Sequence, residues 1–184
     1  MIYFNSLANV SLTKKTLILT AVLLIISLFF LFSATSAASP APQQTLLQQT
    51  VLPLDLALDA ASTALAACEA DGYRVTVAVV DRFGVEKVVL KGDGAGPHTI
   101  GSSVGKAFTS ASMGRPTGDL AAAIAQNPEL DELKAMDERI LILAGGLPIE
   151  IEGEIVAGIG VGGAPGGNLD AACAQAGIDQ ITAN

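Results

Sequence analysis

At 184 residues, with 18 acidic against 10 basic side chains and a formal net charge of −8, the chain is acidic, which argues against a nucleic-acid partner. Hydrophobic residues make up 51% and aromatics only 4%, so small apolar side chains must do the packing and no stacking platform is on offer. The two cysteines, Cys68 and Cys173, stand in no CxxC or CxxCH spacing, which excludes zinc-finger chemistry and thioether attachment of a cofactor.

The first residues read as a targeting segment. Lys14 and Lys15 precede an uncharged apolar run from Thr16 to Phe32, and the small residues from Ser33 to Ser39 suit a signal peptidase, with cleavage expected near Ala37 or Ala38. At 17 residues the run sits at the low edge for a spanning helix, so an uncleaved membrane anchor is the alternative. Either way the rest faces an extracytoplasmic space, and after cleavage no stable membrane association is expected. Residues 39–52, with Pro40, Pro42 and several glutamines, read as a linker, leaving one domain over 53–184. Both lysines of the leader are lost on cleavage, so the mature part carries 18 acidic against 8 basic residues, a net −10.

From Leu54 to Ala70 the apolar positions Leu54, Ala57, Leu58, Ala61, Leu65 and Cys68 keep helical spacing, and Asp71-Gly72 ends the helix. Arg74 to Val80 is rich in β-branched residues, and the turn Asp81-Arg82-Phe83-Gly84 leads to a second strand over Val85 to Leu90. The loop Gly92 to Pro97 then opens a helix that carries the sole histidine, His98, with Thr99 as its expected N-cap. On that helix Ile100, Val104, Ala107 and Ala111 form the expected apolar stripe, with Ser103, Lys106 and Ser110 elsewhere. A short helix over Thr117 to Ala125, capped by Thr117, follows Gly114-Arg115-Pro116.

The stretch Glu129 to Glu138 is acidic and reads as a solvated surface, without calcium-loop spacing. Ile140 to Leu143 reads as a third strand, and a hairpin through Glu152-Gly153 leads into the strand Ile155 to Val161. A last helix over Asn168 to Ile178, capped by Asn168, closes the order α-β-β-α-α-β-β-β-α, an antiparallel sheet with helices on its faces.

His98 is the residue the chemistry turns on. A histidine at a helix start lies by the positive end of the helix dipole, where the neutral ring that metals require is favoured, and Pro97 fixes its approach. The bland alternative is a solvated loop histidine. Gly158-Ile-Gly-Val-Gly-Gly163 lacks the βαβ unit of a dinucleotide site, and its glycines read better as a close approach to a bound ring or a neighbouring subunit. Ser102 and Ser103 lie near His98 without a nucleophile elbow, which argues against a hydrolase, so no catalytic residue is assigned.

The ordered set Val77-Ala-Val-Val-Asp81, Phe83-Gly84, Gly96-Pro-His-Thr99, Lys106-Ala-Phe-Thr109, Gly114-Arg-Pro-Thr117, Ala144-Gly-Gly-Leu-Pro-Ile149 and Gly158-Ile-Gly-Val-Gly-Gly163 resembles the haem-binding GlcG/HbpS family, related to the C-terminal domain of PduO-type adenosyltransferases. The resemblance covers about Leu54 to Ile178. It implies a profilin-like α+β fold, noncovalent haem in a sequestration, storage or sensing role, and a homo-oligomer. An enzyme acting on haem or a small organic acid, with His98 as general base, is the alternative. Carried onto this chain, the resemblance makes His98 the iron ligand, with Gly96, Pro97 and Thr99 around it. Lys106 and Arg115 become the cations for the propionates, and Phe108 and Phe83 the apolar wall. Apart from the resemblance, Met113 offers a soft sulfur as second iron ligand, against a core reading at the end of an alanine-rich helix. So few aromatics suggest that a second subunit supplies part of the wall. In a profilin-like fold the first and last helices share a face of the sheet, which makes a Cys68–Cys173 disulfide an expectation, against two buried free thiols.

Overall fold

Alternation along two central strands gives the molecule two unlike layers. The computed structural model describes residues 47–183, and the expected signal segment lies outside them. The chain runs α1 (Leu54–Ala70), β1 (Thr76–Asp81), β2 (Glu86–Lys91), α2 (His98–Met113), α3 (Thr117–Gln126), a 3-10 helix (Pro128–Ala135), β3 (Gly146–Ile151), β4 (Glu154–Gly162) and α4 (Gly167–Thr182). The strands form one antiparallel sheet in the order β2-β1-β4-β3, as the α+β reading expects.

One face is a thick aliphatic layer. Val75, Val77 and Val79 alternate on it with Ala157, Ile159 and Val161, and they meet Ala57, Ala60, Ala61 and Ala64 of α1 and Cys173 and Ala174 of α4. Burying each valine or isoleucine contributes about 1.5–3 kcal/mol. The two helices approach closely because their contact residues are small: a Cβ on Gly177 would stand 2.3 Å from the Ala60 carbonyl oxygen. Cys68 and Cys173 bridge them at a Cα separation of 5.5 Å, so the disulfide is present and the free-thiol alternative falls.

The opposite face is thin. Here Thr76, Ala78 and Val80 of β1 lie beside Gly158, Gly160 and Gly162 of β4, and α2 packs on them almost backbone to backbone. A Cβ on Gly160 would stand 2.1 Å from the Ser103 carbonyl oxygen, and one on Gly158 2.3 Å from that of Ala107. The glycines are therefore spent on the chain's own helix and not on a bound ring or a neighbouring subunit. Of the expected stripe of α2, Ala107 and Ala111 pack on the sheet, but small polar residues share that face and Ile100 turns outward. Thr99, Ser103, Lys106 and Ser110 are buried, whereas Ile100 is 42% exposed. Small hydroxyl residues tolerate this because they bond within their own helix, Ser103 to the Ile100 carbonyl (3.0 Å) and Ser110 to that of Ala107 (3.0 Å).

Ile140 to Leu143 is not a strand. It runs over α2, bonded to side chains: the Leu141 N–H donates to Thr109 Oγ1 (2.7 Å), and Thr117 Oγ1 donates to the Leu143 carbonyl (2.6 Å). The sheet therefore has four strands, β3 beginning only at Gly146. Three expected caps also differ. Pro97, Pro116 and Gly166 hold the N-cap positions, while Thr99 and Thr117 point into the protein and Asn168 sits inside α4. Among the described residues no helix is long and apolar enough to cross a membrane.

Candidate functional site

The loop from β2 to α2 is built to present His98. Gly92 N–H donates to the Val75 carbonyl (2.9 Å), Gly94 takes φ +78°, and the Ala95 N–H closes a turn on the Gly92 carbonyl (3.1 Å). Pro97 then starts α2 in helical conformation, and His98 is its exposed first residue. The imidazole lies against Gly96. A Cβ there would stand 2.6 Å from Cε1 and 2.9 Å from Nδ1, so only glycine lets the ring settle on the backbone.

Beside it the outer surface of α2 carries no side chain at Gly101. Gly101 has open space above it, with nothing but its chain neighbours and its own helix backbone near where a Cβ would lie, and exposed Ile100 and half-buried Val104 lie beside it. An exposed nitrogen ligand next to a bare glycine and two aliphatic side chains suits a planar apolar group bound through one imidazole. These residues fit a haem on one side. Met113 is half-buried near the far end of the 16-residue helix, which spans about 24 Å, so it is no second ligand to a group on His98 of the same chain.

The remaining expected residues do not gather at His98. Thr99 is buried and gives its one hydroxyl hydrogen to Gly96 O (2.7 Å), with its oxygen against Thr76 Oγ1 (2.6 Å), so it has no hydrogen left to donate to a ligand. Lys106 is buried too, which overturns it as a propionate cation. Its ammonium donates to Asp170 Oδ2 (2.8 Å) and to the Val161 carbonyl (2.9 Å), joining the α2 layer to α4 past the start of β3. Asp170 Oδ1 in turn accepts from the Ala164 N–H (3.0 Å), so both charges are satisfied inside.

Phe108 lies ten residues, about 15 Å, along α2 from His98 and is only 7% exposed. Gly84 is pressed against its ring edge, and the Arg139 guanidinium stacks over its face at 3.9 Å. The wall expected of it is thus already covered by this chain. Phe83, 60% exposed on the β1–β2 turn, stays open. Arg115 is also exposed, past left-handed Gly114 (φ +64°) at the opposite end of α2 from His98. Gly96, Pro97 and His98 therefore form one cluster, and Phe83, Phe108 and Arg115 lie away from it.

Sequence reasoning missed Thr76, Asp170 and Arg139. Thr76 is the one hydroxyl among the α2-facing residues of β1, and Asp170 the one acid in the first turn of α4, which are faint signals. Arg139 is held by Asp137 through Nε (3.0 Å) and Nη2 (2.8 Å). Those hydrogen bonds hold the Asp137 carboxyl down at about 2. Among the described residues no group of three or more acidic, cysteine or histidine side chains could hold a bare metal ion.

Comparison with known proteins bears on this geometry. A family model described as haem degrading protein HbpS-like matches residues 52–179. A double mutant of HbpS from Streptomyces reticuli is 48% identical at a TM-score of 0.69, with 77% of this chain and 96% of that chain covered. Klebsiella pneumoniae ORFY is 25% identical at a TM-score of 0.71, over 76% of this chain and 97% of that one. PduOC, solved as its haem complex, is 22% identical at 0.65 over 71% and 95%, a likeness of fold alone. No curated protein sequence matches.

Proposed function

Because the chain belongs to the HbpS-like family, we propose that it binds haem noncovalently outside the cytoplasm, for sequestration, storage or sensing, through the imidazole of His98. One observation carries this reading: the sole histidine is exposed, laid on Gly96, beside the open surface at Gly101. Haem would supply an iron centre there. The chain's part is to offer one preoriented nitrogen and an aliphatic surface from Ile100 and Val104. The haem complex of PduOC, which shares the fold, supports the ligand class. The Cys68–Cys173 bridge supports an oxidising compartment, as does the apolar leader read in the sequence.

A single chain leaves the ligand uncovered on one side, and Phe83 and Val85 are each 60% exposed. This supports a homo-oligomer in which another copy completes the wall. The family description, haem degrading, favours turnover of haem as a second reading.

Hemin titration of the protein from Ser39 onward tests both. Binding should give a Soret band that His98→Ala shifts or abolishes. An unchanged Soret position in His98→Ala would overturn the assignment. A band that decays with protein-dependent release of iron would carry the second reading.

A further inference from the structure

The α2-facing side of β1 carries Thr76, Ala78 and Val80, and Thr76 is fully buried. Valine has the same shape and suits a strand as well, so a buried hydroxyl here demands a partner to offset its desolvation. The partner is Thr99 Oγ1 at 2.6 Å. Thr99 has one hydroxyl hydrogen and gives it to the Gly96 carbonyl at 2.7 Å, so the hydrogen between the two threonines belongs to Thr76. Two directed hydrogen bonds thus run from the sheet to the loop, Thr76 to Thr99 to Gly96. The Gly96 carbonyl also accepts the Thr99 N–H (3.1 Å), and the His98 ring lies on the same glycine.

We propose that Thr76 is a positioning residue for His98: its buried hydroxyl, acting through Thr99, fixes the Gly96 peptide and so the direction of the imidazole. This rests on the reading of His98 as the binding residue. A ring held in one orientation loses less freedom when it meets a ligand, and outer groups that orient a ligating histidine commonly change affinity about 10-fold to 100-fold.

Because His98 is the only histidine, its ring protons give isolated NMR signals in the ligand-free protein. In wild type and Thr76→Ser they should show nuclear Overhauser contacts to the Gly96 α-protons. Thr76→Val, which keeps the shape and loses the hydroxyl, should lose those contacts and move the ring shifts toward those of a free imidazole, with hemin affinity falling about tenfold. Thr99→Val breaks the relay at its second link and should repeat the NMR change. Wild-type ring contacts retained in Thr76→Val overturn the proposal whether or not hemin binds. Failure of Thr76→Ser to restore them, with both variants equally destabilised, also overturns it, since the role would then be structural alone. If wild type binds no hemin, the haem reading falls and the NMR comparison still decides the positioning.

Discussion

Replacing Gly160 by alanine should unseat α2, and the same change at Gly162 should not. A glycine-to-alanine change at an ordinary backbone angle stabilises by about 0.4–1 kcal/mol, because the unfolded chain loses freedom. Against that, the new methyl of Gly160→Ala would lie 2.1 Å from the Ser103 carbonyl oxygen and 2.5 Å from the Ala107 nitrogen. A relaxed carbon–oxygen contact is about 3.3 Å, so the helix must retreat by about 1 Å. It cannot do so without opening the contacts of Ala107 and Ala111 with Ala78 and Val80. Overpacking of this kind costs about 1–3 kcal/mol or more, and with two backbone atoms in the way the upper end applies, for a net loss of about 2 kcal/mol. At Gly162 the close atom is the Ser102 hydroxyl oxygen (2.3 Å), with everything else at 3.4 Å or beyond. That hydroxyl makes one long bond to the Thr99 carbonyl (3.2 Å) and can rotate away, so Gly162→Ala should stay within about 0.5 kcal/mol of wild type. Urea unfolding followed by circular dichroism measures both. Equal stability of the two variants would refute the account of why these glycines are there.

Reducing the Cys68–Cys173 bridge, which spans 105 residues, should cost about 4.7 kcal/mol on the loop-entropy account, and unfolding with and without reductant reads it directly. Lys106→Met leaves Asp170 buried without its cation and should cost about 3–5 kcal/mol, whereas Lys106→Met with Asp170→Leu should recover most of the loss, as a double-mutant cycle would show. The Arg139 clip lowers the Asp137 carboxyl from 3.8 to about 2, so its stabilising effect is complete above pH 3.8 and fades as pH falls toward 2. Protection of the amides over 137–141 should therefore stay constant between pH 7 and 4.5 and be lower in Asp137→Asn at any pH in that range.

Much of the fold is legible because helix period and strand alternation report burial. α1 runs over the residues its spacing predicts, and Glu152-Gly153 (φ +53° and +81°) makes the hairpin turn its sequence announces. Where the sequence misleads, contacts distant in the chain decide. Apolar periodicity finds Ala107 and Ala111 on the buried face of α2 but misplaces Ile100, because the distant glycines of β4 admit small residues, polar ones included, more closely than large apolar ones. Ile140 to Leu143 has strand composition, yet Thr109 and Thr117 take its backbone bonds before a sheet edge can. In the site, the glycine-proline-histidine run signals His98. Lys106 carries no sign of its partner 64 positions later, and an unpartnered lysine in a sequence reads as an exposed one.

The bridge between the first and last helices has a topological consequence. Every strand among the described residues, the His98 loop and the surface 3-10 segment Pro128–Ala135 lie between Cys68 and Cys173, so the bond closes them into one covalent ring. A single protease cut in that exposed segment opens the ring without releasing a piece. The nicked chain should run near full size on a non-reducing gel and separate into two fragments once thiol is added. Damage at that exposed segment would leave the helix that carries the histidine tethered to its sheet.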